Sequence, residues 1–182
     1  SELVARIFAR YEARVLPLLP KLRGAVVHQD ANDNNIVVNG GEVTGVIDFG
    51  DMTYGRQINE LAVTLAYALL DVEDVYKSAA SLIAGYTKYF PLQPEEAEVL
   101  FDLVAARLVA SVCISSHRAK DFPDNDYLLI SQAPALRLLE RLDNTNAEFL
   151  SVFARHAAGL APVATHEAVV TWLSSKNLQP QA

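Results

Sequence analysis

With a single cysteine, Cys113, the chain has no means of closing an intrachain disulfide, and a zinc site lacks its soft ligands. Cys113 falls in the apolar run 108–114, a setting that predicts a core thiol instead of a reactive one. No apolar segment reads as long as the roughly 20 residues of a membrane span, and the start shows no signal-peptide pattern. A cytoplasmic, non-membrane protein is the expectation. Basic residues are outnumbered, 15 Lys and Arg against 22 Asp and Glu, for a formal net charge of −7. That balance leaves no phosphate-seeking surface for nucleic acid. It does not exclude a nucleotide site, because a bound cation offsets carboxylates and phosphates locally. Internal repeats and low-complexity tracts are also missing.

What remains is a hydrophobic fraction of 51% over 182 residues, enough for one domain with a sizeable core spanning residues 1–182. The order of elements is uneven. Leu3, Ile7, Tyr11, Val15 and Leu18 mark one face of a helix over 2–19, whose end is blurred by Pro17 and Pro20. Short β-branched runs follow at 24–28, 35–38 and 43–47, the last two joined by the turn signal Asn39-Gly40-Gly41-Glu42. Beyond residue 56 everything reads as helix: 57–70, 72–89 with Asp71 as its cap, a long apolar one from Pro94 to about Ala119, then 134–142, 146–158 and 165–173. The fold class is therefore α+β, mainly helical, with a small β unit near the front.

Side chains capable of chemistry concentrate between His28 and Asp51. Val26-Val27 runs into His28-Gln29-Asp30-Ala31-Asn32-Asp33-Asn34-Asn35, and Val46-Ile47 runs directly into Asp48. Asp and Asn are ordinary turn residues. Here, however, they sit at the ends of apolar strands, so pairing of those strands would bring the polar ends together. Converging Asp and Asn oxygens suit Mg²⁺, and phosphoryl transfer asks a protein for little more than such a site and a carboxylate to orient the attacking hydroxyl. Asp30, Asn35 and Asp48 could fill those roles, although spacing alone favours ordinary turn-making.

The sequence Val27-His28-Gln29-Asp30, four residues, Asn35-Ile36, then a hairpin and Ile47-Asp48-Phe49, resembles the aminoglycoside phosphotransferase and choline kinase family. The stretch 45–52 with Asn59-Glu60-Leu61-Ala62 is similar to its hydroxylysine-kinase-like branch, members of which also occur fused to class III aminotransferases. The resemblance implies the C-terminal lobe of a protein-kinase-like fold, its small β hairpin unit carrying the catalytic and metal-binding loops. It implies ATP as co-substrate, Mg²⁺, and a small molecule with a hydroxyl as acceptor, such as an amino alcohol or hydroxylated amino acid. By the same resemblance Asp30 is the catalytic base, and Asn35 and Asp48 are the metal and cofactor ligands; His28 reads as support for Asp30 at the catalytic site, its ring hydrogen-bonded to loop backbone. Gln29 departs from the family, which has Gly there.

Neighbouring residues read more plainly. Asn32 and Asp33 shape the loop, Asp51 makes a turn or cap, Phe49 packs in the core, and Glu60 braces the catalytic loop or Arg56. Acids at Glu98, Asp102, Asp121, Asp124 and Asp126 could line a pocket for a cationic acceptor, as could Tyr67, Tyr86, His117, Arg118, Tyr127 and Trp172. Kinases of this kind have an N-terminal lobe with a Gly-rich phosphate-covering loop and a lysine for ATP; neither is found here. The expectation is a piece of a longer parent, poorly active by itself, with that lobe supplied in cis and an apolar surface apt to form a homodimer. Two readings compete: a pseudokinase or partner-binding helical module, and a metal-dependent phosphohydrolase.

Overall fold

The computed structural model describes residues 2–121, 132–163 and 165–175. Seven helices and four short strands follow one another as α1 (Glu2–Arg14), β1 (Gly24–Val27), β2 (Ile36–Asn39), β3 (Glu42–Val46), β4 (Thr53–Arg56), α2 (Ile58–Ala68), α3 (Val75–Thr87), α4 (Pro94–Asp121), α5 (Gln132–Asn144), α6 (Ala147–Ala157) and α7 (His166–Ser175). The fold is α+β and mainly helical, with the β element set among helices in the manner of a kinase C-terminal lobe.

α4 is the axis. Pro94 opens it without spending a needed N–H, and Glu95 and Glu96 lie at the positive end of its dipole. Its first half has almost no exposed face: Ala97, Val99, Leu100, Val104 and Ala105 are fully buried, packed among α1, α2, α5 and α6. By length and composition this helix could cross a membrane, a feature the sequence reading passed over. Half of that apolar stretch is buried inside the protein, and it carries charged residues paired to other elements. It serves here as the core helix. Beyond residue 110 burial lapses, and Cys113 is exposed. The expected core thiol is thus a surface one, because an apolar run stays buried only where a neighbouring element covers it.

Two carboxylates lie in the buried half of α4. Asp102, 5% exposed, takes Arg10 Nε at 2.6 Å, in an ion pair too bent to be a hydrogen bond, and Arg14 Nε at 3.1 Å. Glu96, 1% exposed, takes both ends of the Arg23 fork at 2.8 and 2.6 Å. Hydrogen bonding to Glu96 raises the Arg23 pKa; for Arg14, burial opposes the charge but bonds to Glu148 and Asp102 outweigh it. An acid pocket for a cationic acceptor is therefore not what Asp102 builds, since its charge is already matched. Glu98 is exposed, and Asp124, Asp126 and Tyr127 lie outside the described residues.

The strands form two separate antiparallel pairs, β1 with β4 and β2 with β3. β1 and β3 do not pair; β2 and β3 do, with Ile36 opposite Val46, which brings Asn35 next to the Asp48 segment and leaves the His28 end of β1 to join by other means. The β2–β3 hairpin closes on Gly40 and Gly41 at φ 60° and 84°, a two-residue turn that needs positive φ at both positions. Several apolar side chains of this unit are bare: Val26, Val38, Val43, Ile47, Phe49 and Tyr54 are each at least half exposed. Phe49, expected in the core, is among them.

Helix bounds shift modestly from expectation. α1 stops at Arg14 and gives way to turns and a 3-10 segment around Pro20. Asp74, not Asp71, caps α3 by accepting from Lys77 N, while Asp71 adopts φ 54° and pairs with Arg137. Asn146 caps α6 by accepting from Glu148 N and Phe149 N.

Replacing Asp102 with Ala leaves two arginines half-buried and short of an acceptor, a change that should cost about 3 kcal/mol. Urea unfolding of Asp102→Ala beside the parent chain checks it; a midpoint shift worth under about 0.5 kcal/mol would mean that α1 is held by apolar contact alone.

Candidate active site

The catalytic-loop candidates leave β1 at His28. The His28 backbone N–H donates to Glu60 Oε2 at 2.6 Å, so α2 grips the loop at its first residue. Glu60 was expected to brace this loop or Arg56; it takes the loop, and Arg56 donates to Leu22 O instead. At the next residue, Gln29 sits at φ 68°, left-handed backbone that favours glycine. At the position where the resembled family has Gly, the backbone thus takes a conformation that glycine adopts freely although the residue is Gln.

Asp30 is enclosed by donors. Its Oδ2 accepts from Asn32 Nδ2 at 3.0 Å and Asn35 Nδ2 at 2.9 Å, and its Oδ1 accepts from Arg107 Nη2 at 2.9 Å. Asn35 Nδ2 also donates to Asp30 O at 2.9 Å. Asn32 turns its oxygen to Asn34 N at 2.8 Å, so it shapes the loop, as expected. Asn35 is itself buried, at 7% exposure.

Ile47 draws the second segment in. Its N–H donates to Asn35 O at 3.0 Å, and its carbonyl faces His28 Nε2 at 2.9 Å. That carbonyl makes Nε2 the protonated nitrogen of the ring. Asp48 follows at once, exposed, at φ 60°, its Oδ1 near Gly50 N. Pairing of β2 with β3 thus brings Asn35 beside the Asp48 segment, and the Ile47 carbonyl ties that pair to His28 at the end of β1. Phe49 contributes an edge contact to the His28 ring, with centroids 5.1 Å apart.

Asn35 and Asp48 offer oxygen donors of the kind Mg²⁺ takes. Asn35 spends its N–H on Asp30, which leaves its amide oxygen for a cation. Among the described residues no three His, Cys, Asp or Glu side chains share a point. Mg²⁺ does not require three, since waters and substrate phosphates complete its shell.

Arg107 is the residue in contact with Asp30 that the sequence reading missed. It lies on α4, its guanidinium 5.4 Å over the Tyr67 ring, with Nη2 donating to Tyr67 Oη at 2.9 Å as well as to Asp30. A signal existed: it is the one charged residue in the apolar stretch 103–112, and a half-buried charge needs a partner. Of the other aromatic and basic candidates, Tyr86 donates to Gln57 O and has its pKa raised by burial, while His117, Arg118 and Trp172 are exposed. A cavity of about 280 Å³ opens beside the loop, lined by Gln29, Arg56, Asn59 and Arg107 over the apolar Ala62, Val63, Leu103 and Ala106.

Two substitutions probe the loop. Gln29→Gly should raise stability by up to about 1 kcal/mol, relief of left-handed strain outweighing glycine's extra unfolded freedom, whereas Gln29→Val should lower it; thermal melts of both decide the sign. Glu60→Ala strands the His28 N–H and should cost about 2 kcal/mol, with faster hydrogen exchange at that amide. Unchanged exchange would show that water replaces the carboxylate there.

Residues 1–97 match the sequence model of the phosphotransferase enzyme family, APH. The chain is 31% identical over 148 residues to a hydroxylysine kinase of Danio rerio, covering 78% of this chain and 42% of the relative. It is 30% identical over 159 residues to that of Xenopus laevis (81% and 42%) and 29% over 151 residues to that of Mus musculus (78% and 40%). The chain thus spans about two fifths of the length of these relatives. No solved structure matches it. Over more than half its length, and through the segment that holds Asp30, Asn35 and Asp48, this chain belongs to the phosphotransferase enzyme family, on its hydroxylysine-kinase-like side.

Proposed function

We propose that this chain is the phosphate-transfer portion of an ATP- and Mg²⁺-dependent kinase whose acceptor is a hydroxyl of a small molecule, an amino alcohol or hydroxylated amino acid. The observation that carries the reading is the hold on Asp30: two amides on one oxygen and a guanidinium on the other keep a carboxylate fixed at the end of the loop. A carboxylate so placed can orient an incoming hydroxyl and accept its proton.

In the proposed reaction the acceptor oxygen bonds to the γ-phosphorus of ATP as the bond to the β,γ-bridging oxygen breaks. The hydroxyl proton passes to Asp30, and ADP leaves. Asn35 and Asp48 are the residues that would hold Mg²⁺, which when bound offsets charge on the phosphates. His28 serves as support, tying the start of the loop to the Ile47 carbonyl and so to the Asp48 segment. The nucleotide would be covered by a segment of a longer parent, docked over the exposed apolar side chains in and around the four strands. A cytoplasmic setting, where MgATP is plentiful, goes with this chemistry.

Phosphate transfer by the parent protein, across amino alcohols, hydroxylated amino acids, aminoglycosides and sugars, is the test. One acceptor class should be phosphorylated with Mg²⁺ and ATP, and Asp30→Asn should lower kcat by about a hundredfold or more. Transfer that survives the substitution would remove Asp30 as the base. Hydrolysis of phosphomonoesters without ATP would replace the kinase by a phosphohydrolase.

A further inference from the structure

Hydrogen bonding at Asp30 leaves one place open. An ionised carboxylate offers about four lone-pair sites, two on each oxygen. Oδ2 fills both of its own, with Asn32 Nδ2 at 3.0 Å and Asn35 Nδ2 at 2.9 Å. Among the described residues Oδ1 accepts from Arg107 Nη2 alone, at 2.9 Å. The Asp30 side chain is 24% exposed, so the carboxylate is open to an incoming group. An incoming hydroxyl thus has one oxygen with room for its proton, and the group that sets the direction of that oxygen is Arg107.

Arg107 is itself held from two directions. Both hydrogens of Nη2 are engaged, one on Asp30 Oδ1 and one on Tyr67 Oη, each at 2.9 Å. The Tyr67 ring lies 5.4 Å from the guanidinium carbon, which restrains the plane of the fork. Both supports stand on helices, Tyr67 near the end of α2 and Arg107 in the middle of α4. Asp30 stands on a loop, where its carboxylate would otherwise be freer to turn about its last bond. Stability is a poor account of this arginine. It is the one charged residue in the stretch 103–112, and its Nε–H is buried with no acceptor among the described residues, an arrangement that works against the fold. What it supplies is the orientation of Asp30.

Resting on the kinase reading above, we propose that Arg107, backed by Tyr67, is a positioning residue for phosphoryl transfer, turning Asp30 so that Oδ1 receives the hydroxyl proton. The acceptor O–H bond breaks as its oxygen bonds to the γ-phosphorus and the bond to the β,γ-bridging oxygen breaks. The proton ends on Oδ1, beside Nη2, and ADP leaves with the bridging oxygen. Arg107 acts through Asp30 and exchanges no proton itself. Phosphoryl transfer asks its carboxylate for placement more than for covalent chemistry, so a carboxylate that turns away slows the step without weakening nucleotide binding.

Two measurements test this. The first is turnover by the parent protein. Arg107→Gln should lower kcat by about tenfold to a hundredfold and leave KM for ATP unchanged. Arg107→Lys keeps one cation in reach of Asp30 and should recover part of the loss. Tyr67→Phe keeps the ring, removes only the hydroxyl, and should lower kcat a few-fold. The second measurement needs no turnover: water exchange of the Asn32 and Asn35 side-chain amide protons, followed by NMR in the 182-residue chain. A carboxylate free to turn releases them, so both should exchange about tenfold faster in Arg107→Gln while backbone amides of α6 keep their rates. Thermal melting checks that each variant folds, and Tyr67→Phe, with a smaller increase, carries the same readout where Arg107→Gln does not. Parental kcat in Arg107→Gln, a loss carried by KM for ATP alone, or unchanged exchange at Asn32 and Asn35 would each overturn the proposal. Absence of phosphate transfer in the parent, with exchange responding as expected, would overturn the kinase reading and leave Arg107 as the group that orients Asp30.

Discussion

Burial of two carboxylates in α4 constrains most of what surrounds it. Glu96 and Asp102 could not lie in that environment without partners, and the partners come from the front of the chain: Arg23 just before β1, and Arg10 and Arg14 on α1. Those pairs fasten the segment leading into β1 against the central helix. β1 in turn sets where His28 leaves the strand, and the catalytic-loop candidates begin there. The apolar core supplies most of the driving force, but the ion pairs give α1 its register on α4, since a shifted helix would leave a guanidinium and a carboxylate buried apart.

The same helix reaches the site a second time, through Arg107. Asp102 and Arg107 are five positions apart on α4, yet one binds the front helix and the other holds Asp30. The core and the site therefore share one rigid element. Around it the loops carry local strain: Gln29 and Asp48 both take left-handed backbone, at φ 68° and 60°. Non-glycine residues keep such conformations where surrounding contacts over-determine them. Here the contacts are the Glu60 bond to the His28 amide and the two bonds to the Ile47 peptide.

Much of the fold was legible because its signals are local. Apolar spacing marked the helices, Pro94 with two glutamates marked the start of α4, and two adjacent glycines marked the β2–β3 turn. Misreadings came where a local signal needed a distant answer. Cys113 and Phe49 are apolar in an apolar context, but no described element covers them. Asp71 resembled a cap, yet the helix begins after Asp74.

By itself the sequence determined the element types, the family, and the identity and spacing of Asp30, Asn35 and Asp48, because a run of residues along a chain carries all of that. Only tertiary structure decided how those residues are held. The Ile47 carbonyl meets His28 from the end of a strand that β1 does not pair with, Glu60 reaches back across 32 positions, and Arg107 arrives from 77 positions away to hold Asp30. Charge compensation depends on distance in space, and a sequence lists its charges without saying which of them will meet.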